Sequence, residues 1–408
     1  MRRRRAAPRA MTLDFLDDPY PTYRTWREAG PIQWRDDFFG GAWVLTRHAD
    51  VEAALRDPRL SAQRTGGWVM DTTDTAEERR TLAPLQRLFA RAMLFRDPPD
   101  HQRLRQVMQP AFRPERLAAL QPEVALMVER LIDAVPTEGE FDFMAHMARA
   151  LPAQVVARLM GLDTDLQDDF LLWCEDLAAF IGAAQPTLEQ ARTAQRSLLD
   201  MAAYFERDLL PRRLREPADD WVTLLAQAQS DGRIEAGAEL VAQCAMLLFA
   251  GYETTRNLLG NGMLSLLKHR DQWQRLCEQP DLAAPAVREL LRFDSPVQWT
   301  GRRAAMDVEL AGQPVRRGQL VLALIGSANR DPERHPDPDA LDITRSNVGA
   351  LSFGSGPHVC IGAALTQLEA QAVFKALAQR CVHWQLAAPP QRNGNPVYRG
   401  LHALRLRA

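Results

Sequence analysis

The chain has 408 residues, of which 46% are hydrophobic, and its formal net charge is −2 at pH 7. These values are ordinary for a globular enzyme and do not indicate a nucleic-acid-binding protein. The five cysteines lack the spacing of a disulfide scaffold or a zinc site, and no uncharged apolar run reaches the roughly 18 residues that a membrane helix needs. We therefore expect a cytoplasmic protein that is not embedded in a membrane.

The chain begins with the arginine run of residues 2–5, a pattern that also occurs in nucleic-acid-binding and membrane-binding arms. Lysine, however, occurs only at Lys268 and Lys375, so nearly every basic residue of this protein is an arginine. The run therefore reflects the general composition. We expect residues 1–11 to be a disordered leader.

The first predicted elements alternate between helix and strand. Residues 20–29 have a helical pattern, and the strand-like runs 32–34 and 42–45 are joined by the turn-forming pair Gly40-Gly41. Residues 50–56 have the pattern of another short helix. A small sheet with helices beside it is predicted for this part of the chain.

A further helix is predicted after Pro98-Pro99. These prolines block a helix upstream and Asp100 is a suitable N-cap, so His101 and Arg105 should lie one turn apart on one helical face. A histidine and an arginine in this arrangement are most often a solvated surface pair, and the spacing alone does not assign them a function.

Residues 116–229 have an almost continuous helical pattern. The predicted breaks in it fall at residues 136–139, Gly161, Pro186 and Pro211. None of them is a long linker rich in Gly, Ser and Pro, so we expect residues 12–408 to form a single domain.

A very long helix is predicted over residues 235–268. At 1.5 Å per residue, 30 residues of this helix would already span about 45 Å, enough to cross the whole molecule. Its middle, residues 244–250, is apolar on every side, as a buried central helix requires. Glu253 and Thr254 then interrupt the apolar pattern, and such a local exception is typical of a functional site. The structural alternative is a Thr254 hydroxyl bonded to a carbonyl one turn earlier and a Glu253 held in a salt bridge.

Two patterns follow the long helix. Glu289 and Arg292 lie three residues apart, a spacing that brings their charges together on a helix surface. Residues 295–300 should be extended because Pro296 disfavours a helix. Hairpins are predicted over residues 312–321 and 392–406.

The most informative stretch is Leu351-Ser352-Phe353-Gly354-Ser355-Gly356-Pro357-His358-Val359-Cys360-Ile361-Gly362. The glycines and the proline predict a tight turn, and a helical pattern runs from Ile361 to about Arg380. Cys360 would then lie at a helix N-terminus, where free N–H groups favour a thiolate, a strongly donating ligand for iron. The alternative is that Cys360 is a small buried hydrophobic residue, as many single cysteines are.

The pattern Phe353-x-x-Gly356-x-x-x-Cys360-x-Gly362 matches the haem-ligand signature of the cytochrome P-450 superfamily. Over residues 17–407 the chain resembles bacterial class I members of that superfamily. The resemblance implies a mainly α fold with a small β-sheet region and a long central helix over the haem. It also implies that haem b is the cofactor and that Cys360 is the axial ligand of its iron.

The resemblance implies roles for several other residues. Phe353 would shield the sulfur, and Gly362 would let the following helix approach the porphyrin. Small Ala250 and Gly251 would leave room for dioxygen above the iron, and Glu253 and Thr254 would supply protons. Glu289 and Arg292 would be structural, with a third polar partner that the sequence does not identify. The residues implied to bind the haem propionates are His101, Arg105, Arg302 and His358.

The implied activity is insertion of one oxygen atom from dioxygen into a small-to-medium, mostly apolar substrate, by hydroxylation or epoxidation, in a pathway such as secondary metabolism. The substrate itself, and whether it is free or bound to a carrier, are left open. Gln298 and Thr300 would orient a polar group on it. The residues expected to line its pocket are Trp68, Phe95, Phe180, Phe249, Val297, Gln298, Trp299 and Thr300.

The resemblance implies a reaction that consumes two electrons. The chain has neither a dinucleotide-binding motif nor cluster-type cysteine spacing with which to relay them. The implied electron donors are therefore a separate iron–sulfur ferredoxin and its NAD(P)H-dependent reductase. The ferredoxin would dock at Arg103, Arg113 and Arg116, and the enzyme is expected to be a monomer. Two alternatives stay open: a peroxide-driven or non-oxygenating haem-thiolate enzyme, and a non-catalytic haem-binding sensor.

Overall fold

A computed structural model describes residues 12–64, 72–163, 167–346 and 348–408. The predicted leader at residues 1–11 and the pocket candidate Trp68 lie outside the described residues. The expectation of a mainly α fold with small β-sheets is confirmed. None of the described helices combines the length and the hydropathy that crossing a membrane requires.

Helices make up most of the described chain. The α-helices are Leu13–Asp17, Tyr20–Ala29, His48–Arg56, Ala76–Thr81, Ala83–Arg91, Asp100–Met108, Pro114–Asp133, Ala150–Met160, Gln167–Ile181, Leu188–Tyr204, Leu210–Arg215, Trp221–Ser230, Ala238–Lys268, Arg270–Glu278, Ala283–Phe293, Ile325–Ala328 and Ala363–Arg380. Short 3-10 helices are Met93–Phe95, Gln109–Phe112, Pro280–Leu282 and Gly356–His358, and π-helical segments are Met144–Ala148 and Phe205–Leu209.

The strands are β1 Ile32–Arg35, β2 Ala42–Leu45, β3 Leu60–Ser61, β4 Glu140–Asp142, β5 Thr300–Ala304, β6 Val308–Leu310, β7 Gln313–Val315, β8 Leu320–Ala323, β9 Gln385–Leu386, β10 Gln391–Arg392, β11 Leu401–Ala403 and β12 Arg405–Arg407. The largest sheet has the order β1-β2-β8-β5-β3, with β2 and β8 parallel. The smaller sheets are β4-β12-β9, β6-β7 and β10-β11.

The helix Ala238–Lys268, which we call the central helix, is the core around which the other helices pack. Nearly all of its residues are buried, as its apolar sequence predicts. Glycines allow neighbours to approach closely: a Cβ at Gly260 would meet Met144 Sδ at 2.5 Å, and one at Gly262 would meet Phe374 Cζ at 2.6 Å. The helix begins three residues later than predicted because Gly237, with φ +69°, interrupts the helical backbone.

The segment that follows β10 binds the central helix from the side. Asn261 Nδ2 donates to the carbonyl of Arg399 at 2.9 Å, and Arg392 Nη1 donates to Asn261 Oδ1 at 2.9 Å. Arg256 Nη2 donates to the carbonyl of Leu401 at 3.4 Å. These contacts join parts of the chain that are far apart in sequence.

Two local predictions are wrong, and a third is confirmed only in part. The predicted break at Pro211 does not occur, because a π-helical segment leads into Leu210–Arg215 and the proline occupies its first turn, where no N–H is needed. The hairpin predicted over residues 312–321 lies earlier, with β6 paired to β7, whereas β8 joins the largest sheet. The hairpin at the end of the chain pairs β10 with β11 only, and β12 pairs with β4 and β9.

Candidate cofactor and substrate site

Two adjoining cavities lie between the central helix and the segment that contains Cys360. The first, which we call the Cys360 cavity, has a volume of about 160 Å³, and Phe353, His358 and Cys360 line it. The second, which we call the apolar cavity, has a volume of about 230 Å³, with Phe249 and Trp299 in its wall. Both cavities are lined by Leu94, Thr254, Val297 and Thr300.

The turn before Cys360 is built as its glycines predict. Gly354 and Gly356 have φ values of +74° and +72°, a conformation that strains other residue types. A Cβ at Gly356 would also lie 3.0 Å from the carbonyl oxygen of Leu55. The N–H of Cys360 donates to the carbonyl of Phe353 at 2.8 Å, which closes the loop. The helix that follows begins at Ala363, so Cys360 lies just before its first turn.

The electrostatics of Cys360 differ from the prediction. Burial raises the pKa of its thiol, while the backbone N–H groups of Gly362 and Ala363 and the charge of Arg105 oppose the shift. Desolvation therefore has a larger effect on the pKa of this thiol than the helix N-terminus has. A cation at the sulfur would lower this pKa again, which is the effect that a metal has on a coordinating thiol.

A buried ion network anchors the loop that ends in Cys360. Glu289 and Arg292 form an ion pair at 2.7 Å in which both side chains are fully buried. The third partner, left open by the sequence, is Arg345, whose Nε donates to Glu289 Oε1 at 3.2 Å. Arg292 Nη1 also donates to the carbonyl of Asn329 at 3.0 Å, and the Asn329 amide binds the N–H of Leu351 at 2.7 Å. The network thus reaches the loop through Asn329.

Basic side chains gather at one end of the Cys360 cavity. Arg302 and His358 line it, and the ring of His101 lies 3.9 Å from that of His358, centroid to centroid. Arg105 Nη1 donates to the carbonyl of Val359 at 2.8 Å. All four predicted propionate-binding residues are therefore brought together, although His101 and Arg105 lie behind the wall rather than in it.

These groups lack carboxylate partners among the described residues. Desolvation lowers the pKa of Arg302 to about 10, although Asp97 opposes it, and the pKa of His358 falls to about 3 because of burial and the charge of Arg302. Nε2 of His101 is buried with no described hydrogen-bond partner. Buried cations are normally paired, so this end of the cavity fits a ligand that supplies carboxylates. Haem has two, and its iron would meet the sulfur of Cys360 in the same cavity.

The small residues of the central helix serve two purposes rather than one. Ala250 is exposed to the apolar cavity and leaves space there, as predicted. Gly251 faces the other way, and a Cβ on it would meet Val156 Cγ2 at 2.8 Å. The small size of Gly251 thus lets the helix Ala150–Met160 pack closely, and its role in making room above the iron stays a prediction.

Thr254 and Glu253 lie on different sides of the central helix. Thr254 lines both cavities, and its hydroxyl donates to the carbonyl of Ala250 at 3.1 Å. Glu253 is buried outside them, 3.0 Å from Arg256 Nη1 and 2.9 Å from Asn257 Nδ2. Burial raises the pKa of the Glu253 carboxyl despite these partners. Both contacts of the structural alternative are therefore present, while Thr254 also faces the cavities.

The predicted substrate residues divide into two groups. Two of them lie elsewhere: Phe180 is buried against Phe89, and the amide of Gln298 donates to the carbonyl of Ser295 at 2.8 Å. Gln298 is buried and lines neither cavity, so the expectation that it orients a polar group of the substrate is not supported. Those that line the apolar cavity are Phe95, Phe249, Val297, Trp299 and Thr300.

Sequence reasoning missed several lining residues. Arg64 and Tyr398 line the apolar cavity, and Thr366, whose hydroxyl lies 3.3 Å from that of Thr255, lines the Cys360 cavity. Arg64 follows a strand-like stretch without any motif, so no sequence signal points to it. Tyr398 could have been found more easily, because it lies within the hairpin that was predicted over residues 392–406.

The three arginines expected to dock a ferredoxin differ in their surroundings. Arg103 forms an ion pair with Glu239 at 2.6 Å, and Arg116 forms one with Asp219 at 3.1 Å. Arg113 is exposed, and the described residues offer it no ion-pair partner. Of the three, its charge is the most available for an external partner.

Comparisons with known proteins agree with this geometry. A family model described as Cytochrome P450 matches residues 162–401. The chain is 37% identical to the vitamin D(3) 25-hydroxylase of Pseudonocardia autotrophica, over 90% of this chain and 87% of that protein. It is 34% identical to the 6-deoxyerythronolide B hydroxylase of Saccharopolyspora erythraea, over 90% and 89%. The crystal structure of P450BioI in complex with hexadec-9Z-enoic acid ligated acyl carrier protein matches with a TM-score of 0.90 and 32% identity, over 98% of this chain and all of that one.

Proposed function

This chain belongs to the cytochrome P450 family and is a haem-dependent monooxygenase, and on that premise we propose that Cys360 is the iron ligand and that the apolar cavity receives the substrate. When bound, haem supplies the activation of dioxygen and the transfer of one oxygen atom. The observation that supports this assignment most strongly is the convergence of Cys360 and a group of unpaired basic side chains on one cavity.

The haem is held through its two propionates by His101, Arg105, Arg302 and His358. Four donors for two carboxylates is a reasonable number, because a buried charge needs both pairing and hydrogen bonds. Phe353 lines the cavity beside Cys360, and a Cβ at Gly362 would lie 3.9 Å from the sulfur. Both contacts fit residues that shield the sulfur and leave space around it.

Thr254 holds a proton at its hydroxyl oxygen beside the cavities, and Glu253 is the next proton donor along the helix. The position of Thr254 in the lining of both cavities supports its role. The raised pKa of Glu253 supports a carboxyl group that exchanges protons, although Glu253 must first release Arg256 or Asn257. A positioned proton donor typically contributes about 10²–10⁴-fold to a rate.

The substrate is a small-to-medium, mostly apolar organic molecule that is hydroxylated or epoxidised. The apolar lining supports this, because such walls exclude water and bind carbon-rich ligands. The relatives are named for vitamin D(3) and 6-deoxyerythronolide B, so the family alone does not select one molecule.

Electrons come from a separate ferredoxin and its NAD(P)H-dependent reductase, and Arg113 is the preferred docking residue. The protein works as a monomer in the cytoplasm. Its five free cysteines fit a reducing compartment.

The ligand assignment is tested with Cys360→Ser. A hydroxyl cannot replace the donating sulfur, so this variant should lose the thiolate-type Soret shift with carbon monoxide that the unmodified enzyme gives. Cys244→Ser is the matched control: Cys244 is a fully buried residue of the central helix and lines neither cavity. Retention of the shift in Cys360→Ser together with its loss in Cys244→Ser would contradict the assignment.

A further inference from the structure

Arg64 is a basic side chain in the wall of the mostly apolar cavity. It lines the apolar cavity together with Ile181, Phe249, Val397 and Tyr398. Its guanidinium lies 4.7 Å from the centre of the Phe95 ring, a cation–π distance. Arg303 also lines this cavity, but its Nη1 already donates to the carbonyl of Gly318 at 2.8 Å. A cation among mostly apolar walls is an arrangement that selects a charged group on a carbon-rich ligand.

No carboxylate among the described residues pairs with Arg64. Its described hydrogen bond, from Nη1 to the carbonyl of Ala62, is long at 3.4 Å. Desolvation and the charge of Arg302 lower the pKa of Arg64 to about 9. Because a buried guanidinium has five N–H donors, most of its hydrogen-bonding capacity is left for a ligand.

The neighbouring strand is shaped to hold this side chain. Gly301 of β5 lies against Arg64, and a Cβ there would meet Arg64 Cδ at 3.1 Å and Leu320 Cδ1 at 3.4 Å. Packing against Gly301 and the Phe95 ring fixes the direction of the guanidinium, which reduces the entropy that binding would otherwise cost.

We propose that Arg64 binds a carboxylate of the substrate, so that this enzyme oxidises organic acids whose apolar part occupies the apolar cavity. The proposal rests on the proposed function and names its substrate class. The carboxylate would lie at Arg64, and the apolar part would extend towards Thr254, which lines both cavities. Arginine suits this role because its planar fork accepts a carboxylate through two parallel hydrogen bonds.

The competing assignment is that Arg64 is a fifth donor to the haem propionates. Arg64 is close enough to contribute to the lowered pKa of His358. However, Arg302 and His358 line the Cys360 cavity, whereas Arg64 lines only the apolar cavity. Four other basic groups already face two propionates, so a further cation there would remain unpaired.

The experiment compares two matched pairs of probes at neutral pH, where the acids are ionised: decanoic acid with 1-decanol, and 4-phenylbutyric acid with 4-phenyl-1-butanol. Dissociation constants are measured by calorimetry and by the Soret shift on the haem-loaded enzyme. The unmodified enzyme should bind at least one acid about tenfold or more tightly than its alcohol.

Arg64→Leu should weaken binding of that acid by about 10- to 100-fold and leave binding of the alcohol unchanged, because one charge-assisted contact is lost. Arg64→Lys should restore part of the preference, since it keeps the charge but not the fork. Arg59→Leu is the control for charge: Arg59 is on the same segment but is exposed and paired with Asp57 at 2.7 Å.

Haem content and the carbon monoxide spectrum are recorded for every variant. The proposal is overturned if the unmodified enzyme prefers neither acid, if Arg64→Leu weakens acid and alcohol equally, or if Arg64→Leu loses haem. Each of these outcomes leaves the thiolate spectrum of the unmodified enzyme intact. Failure of the proposed function would instead appear as loss of that spectrum in the unmodified enzyme.

Discussion

Two groups of buried charges in this protein have opposite surroundings. Glu289, Arg292 and Arg345 satisfy one another, with both members of the central pair fully buried. Arg64 and Arg302 are also desolvated, yet the described residues offer them no carboxylate at ion-pair distance. Burial alone therefore does not distinguish a structural charge from a functional one. The two kinds of charge differ in whether a carboxylate of the protein itself lies at ion-pair distance.

We expect the largest loss of stability in the ion network of Glu289, Arg292 and Arg345. Glu289→Gln would leave both Arg292 and Arg345 without their carboxylate, and breaking a buried pair in this way costs about 3–5 kcal/mol. The free energy of unfolding, measured by denaturant titration, should fall by that amount. Lys375→Met, which removes an exposed pair with Asp281, is the control and should change it by less than about 1 kcal/mol. Equal losses of unfolding free energy in Glu289→Gln and Lys375→Met would show that the buried network stabilises the fold no more than the exposed pair does.

At the basic residues that have no carboxylate partner among the described residues, we expect a change in haem affinity rather than in folding stability. The double variant Arg105→Leu/Arg302→Leu should lower haem affinity by about 10²-fold, at about 1.5 kcal/mol for each charge-assisted contact. The haem-free chain should be as stable as before or more so, because a buried cation without a partner has been removed from it. Haem transfer to apomyoglobin and unfolding of the haem-free chain measure the two effects. Unchanged haem affinity in this double variant would count against the propionate site.

The central helix allows a sharper comparison between neighbouring residues. Thr254→Ala should leave haem and substrate binding intact but lower product formed per NAD(P)H consumed, with about a 10²-fold slower coupled rate and release of hydrogen peroxide. Thr255→Ala is the matched control, because Thr255 is buried and faces Thr366 instead of the apolar cavity. Glu253→Gln should slow turnover as well. If Thr254→Ala forms as much product per NAD(P)H as the unmodified enzyme, the bond from Thr254 to the Ala250 carbonyl has only a structural role.

A smaller effect on stability is expected from Asp294, a buried carboxylate that is paired with arginines of the protein. Burial alone would raise its pKa, but Arg399 and Arg392 outweigh burial and lower it to about 2. Since the pKa is lower in the folded state, this stabilisation is complete above the unfolded pKa near 4 and is lost as the pH falls towards 2. The stabilisation from the lowered pKa of Asp294 amounts to roughly 2 kcal/mol. Asp294→Asn should remove that part of the pH dependence of unfolding, and an unchanged slope in acid would disprove the linkage.

Local patterns were sufficient to predict much of the fold. The helix Tyr20–Ala29 and the strand Ala42–Leu45 agree with their predicted bounds, because apolar periodicity and turn residues act over short distances. The Cys360 loop was equally visible, since its glycines are needed for backbone angles that can be inferred from sequence. These features depend on neighbours in the chain.

Features that depend on distant neighbours were not visible. Gly251 was read as space for a ligand, and its close packing against Val156, almost a hundred positions earlier, was not foreseen. Arg345 and Arg64 have no motif around them, and only the fold reveals that one is paired and the other is not. Sequence patterns thus identified the cofactor side of the site better than the substrate side.

The contacts between the central helix and the segment after β10 have a consequence for biosynthesis. Asn261 and its acceptor, the carbonyl of Arg399, are 138 positions apart. During translation the helix leaves the ribosome long before that acceptor exists, so its buried polar side chains must wait for the last part of the chain. A nascent chain stalled or cleaved ahead of Val397 would keep the Cys360 loop but lack Val397 and Tyr398, which form part of the wall of the apolar cavity. Every residue that lines the Cys360 cavity is therefore synthesised before the wall of the apolar cavity is complete.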